Sequence, residues 1–400
     1  MTNIGTIGFT SNDRELNEGF AWAKEQALAY AHHGEDPVGL WYEAALPERD
    51  AFCIRDVCHQ ANGAHALGLE HHTKNMLTRF VQSIAASRDY CCFWEIDKYY
   101  RPAPVDYTSD QNFWYNLPAN FDLLACCLRM YKLTGDRDYI ESEDFLHFYR
   151  LTTDHYIRTW DTNDDGIPEG SGTKRGIPSY EESEGGGSAQ MIDLLAAEAA
   201  GMSAYAEICE LRGENGTPYR KWAESIRAEI DRWWDASDNR YFYTKRPDGT
   251  LAHISHIASE WVLYFDAAAD EHKCAVTLDR LHQRGVNGIS VECGSYLAEI
   301  FYRYNQPERG EHWIRHFTAP GLKRREYPEL SYTCIGAYVF GMMGVTYDVN
   351  TKTISAAPKL PEGVTSASLT GLPVFGRFAD ITVENGCVTI AYHDRAEETT

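Results

Sequence analysis

Helical segments built almost wholly of small and apolar residues alternate along this chain with helical segments that are plainly polar, and few architectures accommodate both. A helix that is apolar on several faces must be surrounded by protein, whereas one with a single apolar stripe lies outside it. AFCIRDVCHQANGAHALGL is of the first kind, carrying Ile54, Val57, Cys58, Ala61, Ala64 and Leu67, and the more polar helix of residues ~70 to 87 follows it. NFDLLACCLRMYKL likewise precedes a polar helix around Asp138 to Thr159. A buried helix that starts near Ser188, with Met191, Leu194, Leu195, Ala199 and Met202 at helical spacing, precedes the charged helix Tyr219 to Trp234. Residues ~253 to 267 pair with EHKCAVTLDRLHQR, and VECGSYLAEIFYRY pairs with ERGEHWIRHF. YTCIGAYVFGMMG pairs with the first helix, residues ~13 to 33. About twelve helices in six hairpins predict an all-α (α/α)6 barrel over residues 1–344. From Val345 the pattern switches to short alternating runs, TISAAP, SASLT, ADITV and CVTIAY, so residues 345–400 read as a small β-rich appendage.

The stretch from Trp160 to the glycines at 185–187 is a long acidic loop in front of a buried helix. Loops beyond about 12 to 15 residues in compact domains are usually functional or disordered, and the aromatic and proline content here argues against disorder. It therefore reads as the rim of an active site. Asp161, Asn163, Asp165 and Gly166 match the start of a calcium loop, but its last position would be Gly172, where a bidentate Glu belongs. A structural calcium at Asp161, Asn163 and Asp165 stands against a plain Asx-turn loop, and no cofactor is required.

The net charge of -22 argues against nucleic acid or an anionic membrane as partner, since phosphate recognition needs a basic surface. No stretch reaches the ~18 apolar residues of a membrane span. The N-terminus lacks the pattern of a secretory signal, which predicts a cytoplasmic protein or one whose signal was removed. Eleven cysteines without CxxC spacing read as small buried residues of a reducing compartment. No phosphate-cradling loop, zinc cluster or GxSxG elbow is present in the sequence.

Helical hairpins, a DxNxDGIPE-like loop, a Tyr-acidic pair before a Gly-Ser-Ala helix start and a KLPEG-type β tail together resemble the six-hairpin glycosidase superfamily. Residues 160 to 200 resemble bacterial and non-lysosomal glucosylceramidases, and residues 288 to 375 resemble bacterial alpha-L-rhamnosidases. The glucosylceramidase resemblance implies that the carboxylate after Tyr180 is the general acid. That family has Asp there; this chain has Glu181, with Glu182 beside it as a competitor.

Glycosidic cleavage needs one carboxyl kept protonated for the leaving oxygen and one carboxylate that activates water or attacks carbon. Acids in loops leading to inner helices are Asp56, Glu95, Asp110, Asp122, Glu181, Glu182, Glu184, Glu292 and Glu329. Glu329, flanked by Tyr327 and Tyr332, is a catalytic candidate with Glu181 and Glu182; the alternative for it is a helix N-terminal carboxylate favoured by the dipole. Glu95 lies among Phe93, Trp94, Tyr99 and Tyr100, where apolar walls raise a carboxyl pKa and ring faces stack on sugars. Trp114 and Tyr115 read the same way. Arg55, Asp56 and His59 fall in the first turn of an inner helix, and the Arg-Asp pair resembles the substrate anchor of several (α/α)6 glycosidases; His59 could equally be a satisfied interior histidine.

Three function classes follow from these residues. The first is a glycoside hydrolase releasing a terminal sugar. The second is a polysaccharide lyase or unsaturated-uronyl hydrolase, with Tyr or His as base and Arg holding the carboxylate. The third is a non-catalytic sugar-binding protein. The expected partner is a carbohydrate, and a homo-oligomer is left open. Arg49, Arg55, Lys98, Arg101, Lys174, Arg175, Arg324 and Arg325 recur in the aromatic loops, which makes a glucuronide or other uronate an alternative to a neutral sugar.

Overall fold

The computed structural model describes residues 4–181, 187–253, 259–286 and 289–394. Helices dominate up to residue 342, as the alternation predicts. In chain order they include α1 (Arg14–Ala29), α2 (Ile54–Ala66), α3 (Glu70–Ser83), α4 (Ala119–Thr134), α5 (Glu143–Leu151), α6 (Ile192–Leu211) and α7 (Thr217–Arg232). After them come α8 (Ser259–Tyr264), α9 (Glu271–Arg284), α10 (Leu297–Arg303), α11 (Pro307–Thr318) and α12 (Pro328–Gly336). No helix among the described residues is long and apolar enough to cross a membrane.

Polarity sorts the helices as read from sequence. Along α6 the residues from Ile192 to Ala199 are all buried, whereas α7 buries only Ala223, Ile226 and Ile230. The apolar helices meet one another in succession: α2 packs on α4, α4 on α6, α6 on α8, α8 on α10, and α10 on α12, while α12 also packs on α2. The polar members lie against them, α3 on α2, α7 on α6, α9 on α8, α11 on α10 and α1 on α12. Glycines let apolar helices approach closely, and at Gly63 nothing larger fits. A Cβ on Gly63 of α2 would sit 1.9 Å from the Tyr332 carbonyl oxygen of α12, and one on Gly201 of α6 would sit 3.0 Å from the Phe121 backbone of α4.

Several segments depart from the sequence reading. The first helix ends at Ala29 because the chain turns into a short strand, Ala31–His33, paired with Leu40–Tyr42. The fifth inner helix is broken into Val291–Gly294 and α10. The sixth begins earlier than expected, at Pro328, whose missing N–H and fixed φ suit a first helical position, and it runs on into a π turn, Ala337–Met342. Of the fourth, residues 254–258 lie outside the described residues, and α8 ends at Tyr264, short of the expected 267. The loops also carry small two-stranded sheets, such as Ala51–Cys53 paired with Glu95–Asp97.

The C-terminal β structure is a hairpin of Val345–Asp348 with Thr353–Ala356 and a four-stranded antiparallel sheet. That sheet takes β1 (Gly8–Ser11) from the other end of the chain, in the order β1, β2 (Ser366–Val374), β3 (Arg377–Glu384), β4 (Cys387–His393). The cysteines are free thiols, buried except Cys293 and Cys387.

Candidate active site

Four apolar helices carry a buried carboxylate in their first turn, where the helix dipole favours an anion: Asp56 in α2, Asp122 in α4, Asp193 in α6 and Glu329 in α12. All four are buried, none more than 2% exposed. Their hydrogen bonds share a pattern. Glu329 Oε1 receives Ser295 Oγ at 3.1 Å and lies 2.9 Å from His59 Nδ1, while Oε2 has no partner among the described residues. Asp122 Oδ2 receives the Tyr180 hydroxyl at 3.0 Å, and Oδ1 has none. Asp193 Oδ2 receives the Tyr180 amide at 2.6 Å and Ser179 Oγ at 2.9 Å, and again Oδ1 has none. Each acid is therefore held by one oxygen and keeps the other bare. A buried bare acceptor costs about 1–3 kcal/mol, so each of the three oxygens calls for a hydrogen-bond donor.

Asp56 differs, because both its oxygens are engaged, by Arg55 Nε at 3.0 Å and the Tyr327 hydroxyl at 2.7 Å. Burial and the neighbouring Glu329 raise its pKa to about 6 against the pull of Arg55. The Arg55 guanidinium in turn lies 6.0 Å from the Trp94 ring centre and 5.9 Å from that of Tyr180. His59 sits between two acids, its Nε2 3.3 Å from Asp122 Oδ2, within ion-pair range though off the line of a good hydrogen bond. Burial pulls its pKa down, but Asp122 and Glu329 outweigh burial and hold it at about 9. Rings surround it: Tyr264 at 5.0 Å, Trp261 at 5.4 Å, Tyr296 at 5.7 Å and Tyr180 at 6.1 Å between centroids. Burial lifts the Asp193 carboxyl to about 7, although its two donors pull the other way.

The remaining sequence candidates are spread around this cluster. Glu181 is half-buried directly after Tyr180, its amide given to Ser179 Oγ, and its charge is close enough to push Asp193 upward. Glu182 and Glu184 lie outside the described residues. Glu95 is buried against Arg49 at 2.7 Å, with burial raising its pKa to about 8. Tyr115 is fully buried and gives its hydroxyl to Asn120; Trp114 is half-buried and bonds Asn116. Glu292 pairs with Arg324. Asp193, Ser295, Trp261 and Tyr264 were not singled out by sequence reasoning. For Asp193 a signal existed, since it lies in the first turn of an apolar helix, as Asp122 and Glu329 do.

Among the described residues, Asp161, Asp165 and Glu169 bring carboxylate oxygens within 4.8 Å of one another, a set of hard oxygen donors suited to calcium. The Asn163 side chain is turned to Glu169, and Lys245 and Gln190 also donate to Asp165.

No family model matches the chain, and no curated protein matches it in sequence. Solved structures do match in three dimensions. The GH78 rhamnosidase of Bacillus sp. GL1 superposes with a TM-score of 0.70 at 15% identity, over 97% of this chain and 41% of that one. The alpha-L-rhamnosidase of Streptomyces avermitilis complexed with L-rhamnose gives 0.59 at 13% identity, over 97% and 37%. A glycosidase variant in complex with glucose gives 0.58 at 13% identity, over 83% of this chain and 98% of that one. This chain thus spans about two fifths of the rhamnosidases' length. At these identities the likeness is one of fold: the chain has a glycosidase-like, helix-rich fold that resembles that of the bacterial rhamnosidases.

Proposed function

We propose that this protein is a glycoside hydrolase that releases a terminal neutral sugar, with Glu329 as the base or nucleophile and Asp193 as the general acid. The observation that carries this reading is the set of three buried carboxylates, each fixed by one oxygen and bare at the other, beside a wall of rings. Hydrolysis asks for two carboxyl groups in opposite protonation states. Asp193, raised to about 7, suits the protonated one. Glu329, with a hydroxyl donor and a histidine on Oε1, suits the ionised one. Asp122 then accepts a sugar hydroxyl, and Trp94, Tyr180 and Trp261 offer ring faces.

Glu181, or Glu182 beside it, is the alternative acid. Replacing Asp193 by Asn and Glu181 by Gln, with aryl glycosides of poor and of good leaving groups, separates them. Loss of the true acid costs about 100-fold or more on the poor leaving group and much less on the good one. Glu329→Gln loses activity on both. Full activity in Glu329→Gln would remove the assignment.

Neutral sugars are favoured over uronates because three of the arginines in the aromatic loops already have carboxylate partners, Arg55 with Asp56, Arg49 with Glu95 and Arg324 with Glu292. The L-rhamnose and glucose named for two similar structures are neutral as well. Lyase chemistry on His59 is disfavoured, since both its nitrogens face carboxylate oxygens, which favour the cation over a free base. A panel of neutral and uronic aryl glycosides decides the substrate class. We also propose that the body carrying this site is an (α/α)6 barrel over residues 1–344, with 345–400 as appendage; the succession of contacts from α2 through α12 and back to α2 supports it. Calcium at the 161–169 loop is proposed as a stabilising ion, and a melting temperature that is higher with calcium than with chelator would bear this out.

A further inference from the structure

The imidazole of His59 lies in the middle of α2, sealed from water, with an acid from another helix on each side. Glu329 Oε1 of α12 stands 2.9 Å from Nδ1 and Asp122 Oδ2 of α4 stands 3.3 Å from Nε2. A neutral imidazole has one N–H and one lone pair, and a lone pair facing a carboxylate oxygen inside a protein is repulsive. A second proton turns that repulsion into attraction. The other charged groups facing the site agree with this count. On α2, Asp56 is matched by Arg55; on α4, the buried Arg129 feels both Asp122 and Tyr264. The loop before α6 adds only the Tyr180 hydroxyl, already given to Asp122, and α8 and the segment before α10 add the rings of Trp261, Tyr264 and Tyr296. Two carboxylates on opposite sides of one imidazole therefore have it as their common cation.

We propose that His59 is a positioning residue that acts as a buried imidazolium strap, joining Glu329 to Asp122 so that each acid is clamped by one oxygen and turns its other oxygen to the substrate. The proposal rests on the hydrolase reading for its catalytic consequence, but not for the charge state itself. The imidazolium's charge favours the ionised form of a carboxylate it touches, and the carboxylate that reacts and the one that holds a hydroxyl keep a fixed spacing. Both effects act on the transition state more than on substrate capture. A histidine that merely filled the core would have neither.

The test uses the whole protein, labelled with ¹⁵N at histidine, and the same kinetic panel. In the wild type one imidazole signal, absent from His59→Gln, should keep both nitrogens protonated up to about pH 8. In Asp122→Asn the same signal should deprotonate at least about one pH unit lower. His59→Gln should move the acidic limb of kcat/KM upward by about one unit and lower kcat about 100-fold, with KM within about threefold. A wild-type His59 that is neutral at pH 7, or an acidic limb unmoved in a folded His59→Gln, overturns the proposal. Should His59→Gln fail to fold, the one imidazole signal that moves in both Asp122→Asn and Glu329→Gln identifies His59, and its titration decides it alone. If the wild type cleaves no glycoside, the hydrolase reading falls while the titration still judges the strap; if it cleaves sugars and His59 is neutral, only the strap falls.

Discussion

A carboxyl lifted to about 7 by burial is a switch as well as an acid, and Asp193 should leave its mark on the rate. As general acid it works while protonated, so kcat/KM should decline as pH rises past about 7, and Asp193→Asn should erase that limb along with most of the activity. A pH–rate profile with a flat basic side in the wild type would contradict the role. A second residue sets a pH dependence of stability. His65, on α2 against the Tyr347 ring, is buried with neither nitrogen hydrogen-bonded among the described residues, and burial lowers its pKa to about 4. The unfolded chain takes up that proton near 6.5, so the contribution of His65 is whole above pH 6.5 and is lost as pH falls toward 4. His65→Leu, which cannot titrate, should therefore gain on the wild type by up to about 3 kcal/mol across that range, read by denaturant unfolding at several pH values. A constant difference between the two proteins would refute it. The sequence made Glu329, Asp56 and Arg55 legible, because acids beside apolar helix starts stand out. It marked the start of α6 as well, but not the contacts of Asp193 there with Ser179 and Tyr180, brought to it across the acidic loop.

The helices were legible for a simple reason: a helix enclosed by others cannot afford a polar face, and that constraint is written continuously along α2, α4 and α6. Contact chemistry at single points was not. Gly63 reads as a helix weakener in isolation, yet it is what lets α2 and α12 meet backbone to backbone. Gly63→Ala should destabilise by about 3 kcal/mol or more, despite alanine's better helix propensity, and calorimetry should show it. An unchanged melting temperature would mean that the two helices stand further apart. The break between Val291–Gly294 and α10, the early start of α12 and the small two-stranded sheets were invisible because each answers to a neighbour rather than to periodicity. Ala51–Cys53, for example, is extended because Glu95–Asp97 lies beside it, and that pairing in turn brings Glu95 and Arg49 together.

At the scale of the whole molecule, the two ends of the chain are stitched into one sheet. Short runs after Val345 announced the β structure, but nothing in IGFTS announced that β1 would join it, since a four-residue strand at one end says nothing of a partner at the other. Ile7 and Phe9 are buried there. Removing residues 1–11 should cost about 3–6 kcal/mol from those two side chains and leave β2 with an open edge, visible as a lower melting temperature and a tendency to aggregate. A variant as stable as the full chain would show β1 to be an ornament. The meeting of α2 with α12, and of β1 with β2, also governs time. A ribosome that has delivered α2 has still to deliver more than two hundred residues before the backbone that fits against Gly63 exists. Until then that face, and β1, must wait uncovered, so both contacts close only after the stretch between their partners has been made.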